Sequence, residues 1–123
     1  AQGDNGRGIM KKLIAVVFLL SVPLAALAED WTHLKGSDLT NALNARHLVF
    51  ENGATQGFGE DGSTRYTGGG PTMGQWRIRD DQYCSVWPPS DSWTCYDVER
   101  SADGKSLRFT GPGGDQLVGQ YDR

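Results

Sequence analysis

Between His47 and Tyr121, apolar residues recur at every second position in short runs, and glycine, proline or aspartate closes each run. A period of two is the spacing of side chains along one face of a strand, and runs this short are buried only against neighbouring strands. Gln75-Trp76-Arg77-Ile78-Arg79 is the clearest case, with Trp76 and Ile78 pointing one way and Gln75, Arg77 and Arg79 the other. Similar runs are His47 to Phe50, Thr64 to Thr67, Tyr83 to Val86, Trp93 to Arg100, the segment around Leu107 and Phe109, and Gln116 to Tyr121. The stretches Gly57 to Gly62 and Gly68 to Pro71 read as turns, as do Asp80-Asp81 and Gly111 to Gly114, and Asp103-Gly104 is a tight-hairpin signal. The pattern predicts a mainly β (α+β) fold, an antiparallel meander of six or seven short strands. It should curl into a small barrel or half-barrel, because a flat sheet of this size leaves an edge and one apolar face in water. One N-terminal helix is expected from Asp38 to Asn44, capped by Ser37, with Leu39, Ala42 and Leu43 on its inner face and Leu34 packed at its start.

A different kind of sequence precedes this region. Met10 is followed by Lys11 and Lys12, an apolar run from Leu13 to Leu20, a break at Pro23 and the small-residue site Ala26-Leu27-Ala28. That order is a secretory signature, so residues 10–28 are expected to be a cleavable signal peptide. The sixteen residues from Leu13 to Ala28 are too few to span a bilayer, which takes about 20. Residues 1–9 read as upstream translated sequence or a cloning remnant, and 29–123 as a single small disulfide-containing domain. Glu29 follows the expected cut, so no cysteine is there to carry a lipid, and no stable membrane anchor should remain. The expected location is periplasmic or secreted, in a Gram-negative bacterium.

Residues 1–28 contain Arg7, Lys11, Lys12 and Asp4, so the rest of the chain holds nine basic against fourteen acidic side chains. An acidic domain gains nothing from a phosphate backbone or an anionic bilayer surface, which disfavours nucleic acid and membrane as partners. All four tryptophans and all four tyrosines lie after residue 28 and supply the bulk that a small core needs. The two cysteines, Cys84 and Cys95, lie there as well. An even count in an oxidising compartment reads as one disulfide. Closing so short a loop contributes about 3 kcal/mol. Ten intervening residues do not fit a C-x-x-C redox pair.

With the cysteines opposite each other, Tyr83, Tyr96 and Val98 share the more apolar face of the hairpin, and Cys84, Val86, Trp93 and Cys95 share the other. Trp87, Pro88, Pro89 and Trp93 then form a candidate contact surface at a rigid loop. In the alternative, Trp93 packs over the disulfide and the prolines. Arg65, Arg77, Arg79 and Arg108 all fall opposite the core positions of their strands. They form either a basic patch for a carboxylate or phosphate, or cross-strand ion pairs with residues such as Asp97 and Glu99. Catalytic patterns are weak. His33 and His47 are the two histidines, and no G-x-S-x-G, H-E-x-x-H or Walker-type motif occurs. Glu60-Asp61-Gly62 and Asp80-Asp81 lack calcium-loop spacing. No metal site and no cofactor is expected.

The start Leu34-Lys35-Gly36-Ser37-Asp38-Leu39, the strand motif Gly74-x-Trp76, and Asp80-Asp81-x-Tyr83-Cys84 followed by Cys95 resemble a class of small exported Gram-negative proteins of unknown function. The resemblance covers most of residues 31–110. It implies the domain limits and the two-cysteine hairpin, and it transfers no catalytic residue. The leading functional expectation is a non-enzymatic periplasmic domain that binds a protein or small ligand, or modulates a partner, through the disulfide hairpin or an adjacent surface. The alternative is a small-molecule carrier, with a cavity inside the curled sheet lined by Tyr66, Trp76 and Phe109. A small hydrolase using His47 with a nearby carboxylate is the third reading.

Overall fold

The computed structural model describes residues 30–122, so the expected leader at 10–28 and the segment 1–9 lie outside the described residues. The elements in chain order are β1 (Trp31–His33), α1 (Gly36–Leu43), β2 (Arg46–Phe50), β3 (Thr55–Phe58), β4 (Ser63–Tyr66), β5 (Thr72–Arg79), β6 (Gln82–Val86), β7 (Thr94–Ser101), β8 (Ser106–Thr110) and β9 (Gln116–Tyr121).

From β2 to β9 each strand pairs antiparallel with the next. Strand β9 then returns to β2 through the pairs Leu48–Tyr121, Val49–Gln120 and Phe50–Gly119. The result is a closed eight-stranded antiparallel barrel, the form of the meander that leaves no edge among its staves. Strand β1 stands outside this count. It pairs with residues 99–101 of β7, on the side where β6 pairs with residues 94–96.

The alternation does not mark β1 or β3. Strand β3 runs into the stretch expected as a turn, because Gly57 lies inside it, opposite His47. A β-carbon on Gly57 would sit 2.9 Å from the His47 imidazole, so this glycine makes room for a cross-strand ring. The turn itself is confined to residues 59–62. Asp61 Oδ1 accepts from the Ser63 amide at 2.9 Å and from its hydroxyl at 2.7 Å. Those bonds hold the Asp61 carboxyl below its ordinary range.

Helix α1 begins earlier than expected, and Ser37 does not cap it. Lys35 occupies the cap position in extended conformation and makes no side-chain cap bond. The first free amide, that of Gly36, instead donates to Asp81 Oδ1 in the β5–β6 turn at 2.9 Å. A carboxylate there satisfies an orphan donor and lies at the positive end of the helix. Leu34, Leu39, Ala42 and Leu43 are buried as expected. They join Leu48, Phe58, Trp76, Val98 and Leu107 in one core. The helix is also tied to the last strand, since the Tyr121 hydroxyl donates to the Ala42 carbonyl at 2.6 Å. Burial raises the Tyr121 phenol, while Arg46 and Arg100 oppose the rise.

Cys84 and Cys95 form the expected disulfide between directly opposite residues of β6 and β7, with their α-carbons 4.0 Å apart. Tyr83 stands opposite Tyr96 on the inner face.

Candidate functional site

The barrel has two unlike ends. The turns 59–62, 80–81 and 102–105 lie at the end that α1 covers, as the Gly36–Asp81 bond requires. At the opposite end lie the loops 51–54, 67–71, 87–93 and 111–115. Strand alternation gives each stave one inward position per level. On β2, β3, β5 and β8 the helix-side positions are Leu48, Phe58, Trp76 and Leu107, all buried. Two residues toward the open end, the same strands present Phe50, Gln56, Gly74 and Phe109. The helix side is therefore filled, and the open side is hollow.

That hollow is a half-open cup of about 300 Å³. Six aromatic rings line it: Phe50, Tyr66, Tyr83, Trp87, Tyr96 and Phe109. They form a continuous series. Trp87 meets Tyr66 at 6.2 Å between centroids, Tyr66 meets Phe50 at 6.2 Å, and Phe50 meets Phe109 at 5.9 Å. Phe109 meets Tyr83 at 5.5 Å, and Tyr83 meets Tyr96 at 5.7 Å. Leu117 completes the apolar wall, and Asp115 and Gln116 reach it from the β8–β9 side.

Four of these rings rest where a glycine leaves room. A β-carbon on Gly74 would lie 2.7 Å from the Trp87 ring, and one on Gly68 would lie 2.5 Å from the Tyr66 ring. On Gly119 it would lie 3.0 Å from Phe50, and on Gly111 it would lie 3.2 Å from Tyr96. The glycine content that reads in sequence as turns thus serves in part as seating for the cup's wall.

The inner end of the cup is polar. Gln56 Nε2 donates to Thr64 Oγ1 at 3.0 Å and to the Tyr83 hydroxyl at 2.9 Å. Thr64 in turn donates to the Gly57 carbonyl at 2.7 Å. Both amide protons of Gln56 are thereby used, and among the described residues no group donates to its Oε1, which leaves an acceptor for the cavity. Trp87 Nε1 donates to Ser85 Oγ at 3.1 Å, orienting the indole from below. Burial pushes the Tyr83 phenol up to about 12, against the opposing bonds from Ser85 and Gln56. The inner end is therefore uncharged at any ordinary pH. Burial also raises Tyr96.

No family model, curated protein or solved structure matches the chain.

The residues singled out in the sequence are dispersed. Trp87 turns inward and forms part of the cup wall, while Pro88 and Pro89 are exposed in the loop beyond it. Trp93 lies on the outer surface, half-buried, with the Arg77 guanidinium 3.9 Å from its ring centroid. Arg77 stands opposite Cys84, so the stacked pair lies beside the disulfide. Arg108 bonds Glu99, with Nε to Oε1 at 2.8 Å, and stacks 4.5 Å from the Trp31 centroid. The cross-strand ion pair expected for these arginines is thus present at Arg108. Arg65 is exposed and level with Met73 on β5. The four residues from there to Arg77 span about 13 Å. Arg79 is exposed opposite Gln82, and two strands separate β5 from β8 and its Arg108.

The cavity expected from Tyr66, Trp76 and Phe109 includes the first and third but not Trp76. Trp76 is buried toward the helix end, edge-on to Phe58 at 5.8 Å, and donates from Nε1 to the Gly59 carbonyl at 2.9 Å. His47 is exposed on the outer face of β2 over Gly57, and among the described residues no carboxylate pairs with it. His33 lies 3.8 Å from Asp97 on the surface. Among the described residues there is no cluster of three or more His, Cys, Asp or Glu side chains, and no helix is long and apolar enough to cross a membrane.

Proposed function

We propose that this domain is a non-enzymatic small-molecule carrier or receptor that holds its ligand in the open end of the barrel. The observation that carries this reading is the cup itself: six aromatic rings around about 300 Å³ with hydrogen-bonding groups at the inner end. Eight-stranded barrels are just wide enough to hold one small ligand, and ligand sites combine apolar walls with a few placed polar groups. The Gln56–Thr64–Tyr83 network is bonded within itself and behaves as a rigid receptor surface rather than as a proton-transfer device. The disulfide supports a setting outside the cytoplasm, where such bonds persist.

A neutral naphthylamine dye that fluoresces in apolar sites tests the proposal. It should bind the full chain saturably at one site. Ser85→Leu, which fills the inner end, should abolish binding, and Trp93→Ala on the outer face should leave it intact. Absence of saturable binding, or binding untouched by Ser85→Leu in a folded variant, overturns the carrier reading. Loss of binding on Trp93→Ala would move the site to the disulfide hairpin.

A further inference from the structure

We infer that the cup selects small organic cations, specifically N-methylated ammonium groups; this rests on the carrier reading and names its ligand class. Two independent features point there.

The first is the arrangement of the rings. Around the wall, four of the five successive pairs are steeply inclined, at 66° for Trp87 and Tyr66, 54° for Tyr66 and Phe50, 63° for Phe50 and Phe109, and 72° for Phe109 and Tyr83, while Tyr96 stacks on Tyr83 at 29°. Rings set this steeply to one another enclose a compact volume instead of offering one flat platform. A sugar or a fused aromatic system stacks best on a platform, whereas a trimethylammonium head is nearly spherical. Aromatic rings gathered around such a head attract it through their negative faces, with little of the desolvation cost that a primary ammonium carries.

The second is charge. Among the described residues, Asp115 is the one carboxylic side chain in the wall, which holds no Lys, Arg or His. It ends the β8–β9 turn, where its carbonyl accepts the Gly111 amide at 2.9 Å, so its backbone is held at the rim. The four loops of the open end contain Glu51, Asp91 and Asp115 and no Lys, Arg or His. Arg46, Arg100 and Lys105 lie at the helix end, and Arg65, near the open end of β4, is exposed on the outer face away from the cup. The mouth of the cup is therefore acidic, in a domain whose overall balance is also acidic. A low-dielectric recess with a rim of one sign concentrates counter-ions of the other. An anionic ligand would meet that rim unfavourably, and a neutral one would make no use of it.

Displacement of the naphthylamine dye from the full chain separates the possibilities. Choline is compared with its uncharged isostere, in which carbon replaces the quaternary nitrogen, and with the carboxylate of the same skeleton. Choline should displace the dye at least about tenfold more effectively than the isostere, and the carboxylate should be weaker still. Raising the salt concentration should weaken choline and leave the isostere unchanged. Asp115→Asn should narrow the gap, with an unaltered circular dichroism spectrum. If the dye binds but the isostere matches choline, the cation proposal is overturned and the carrier reading stands. The outcome is the same if neither displaces a bound dye, or if the carboxylate binds best. If the dye itself does not bind, both readings fall.

Discussion

The indole of Trp87 occupies the space into which a side chain at position 74 would project. A β-carbon there would lie 2.7 Å from Trp87 Cε3 and 2.5 Å from the Val86 carbonyl oxygen. Trp87 follows the end of β6 and Gly74 lies within β5, so the ring folds back over the neighbouring stave and reaches the cup. In the sequence motif Gly74-x-Trp76, two adjacent inward positions divide the barrel between them. The large residue fills the helix side, and the absent side chain admits a ring from elsewhere on the open side.

Gly74→Ala tests this division. The close atom at Val86 belongs to the backbone and cannot swing away, so the extra methyl must displace the strand or the indole. We expect a loss of about 1–3 kcal/mol, read as a lower urea midpoint, together with a red shift of tryptophan emission as Trp87 leaves the wall. Gly69→Ala, whose added carbon meets nothing within 4 Å, should show no such emission change, although its positive φ carries a cost of its own.

How far the fold is legible in the sequence follows from where these contacts lie. The alternation from Gln75 to Arg79 records a property of one strand and its solvent, so periodicity finds it without knowledge of the neighbours. Strand β3 escapes because Gly57 resembles a turn residue until His47 is placed across from it. The cup is legible in part: Tyr66 and Phe109 line it as expected, but Trp87 escapes because it follows a strand end and precedes two prolines, and its inward course depends on a glycine thirteen positions earlier. A usable signal does exist: Gly74 and Gly119 stand in phase with the buried Trp76 and the inward Leu117 and Tyr121. A glycine on an inward phase marks a seat for a distant ring rather than a turn.

The Cys84–Cys95 bond joins the staves that carry Tyr83 and Tyr96. Replacing both cysteines with serine should lower stability by about 3 kcal/mol, measured by urea unfolding, with reduction of the native protein giving a similar change. Dye binding should persist in whatever fraction remains folded, because Cys84 and Cys95 point away from the cavity.

Asp81 supplies the helix cap from a turn that is distant in sequence. Asp81→Ala should cost about 1 kcal/mol through the lost cap. Positive φ at both Asp80 and Asp81 (53° and 59°) adds a backbone penalty for alanine. Asp80→Ala carries that penalty without the cap and is the control. Asp81→Asn, which tolerates the same conformation and keeps an acceptor, should lose less than Asp81→Ala in thermal unfolding.

Burial raises the Tyr83 phenol from an ordinary 10.0 to about 12. The folded protein therefore holds a proton that the unfolded chain releases across that interval, and stability falls as pH rises through it. Below pH 10 the contribution is complete. Above it, loss approaches about 3 kcal/mol. Urea midpoints at about pH 9 and about pH 11 should diverge more for the native sequence than for Tyr83→Phe, which has no proton to lose. Equal divergence in the two proteins would mean that the phenol does not titrate as described.

The seam between β2 and β9 sets the order in which this molecule is completed. Leu48 waits for Tyr121, a partner 73 positions further along the chain. The residue that closes the ring of strands is also the one whose hydroxyl holds the helix end. Contacts this remote are entropically expensive to reach and slow to form. During synthesis, β2 is without one flank until β9 has emerged. Removal of β9 would leave β2 and β8 each with an unpaired edge, turning a sealed cylinder into a ribbon with two adhesive margins.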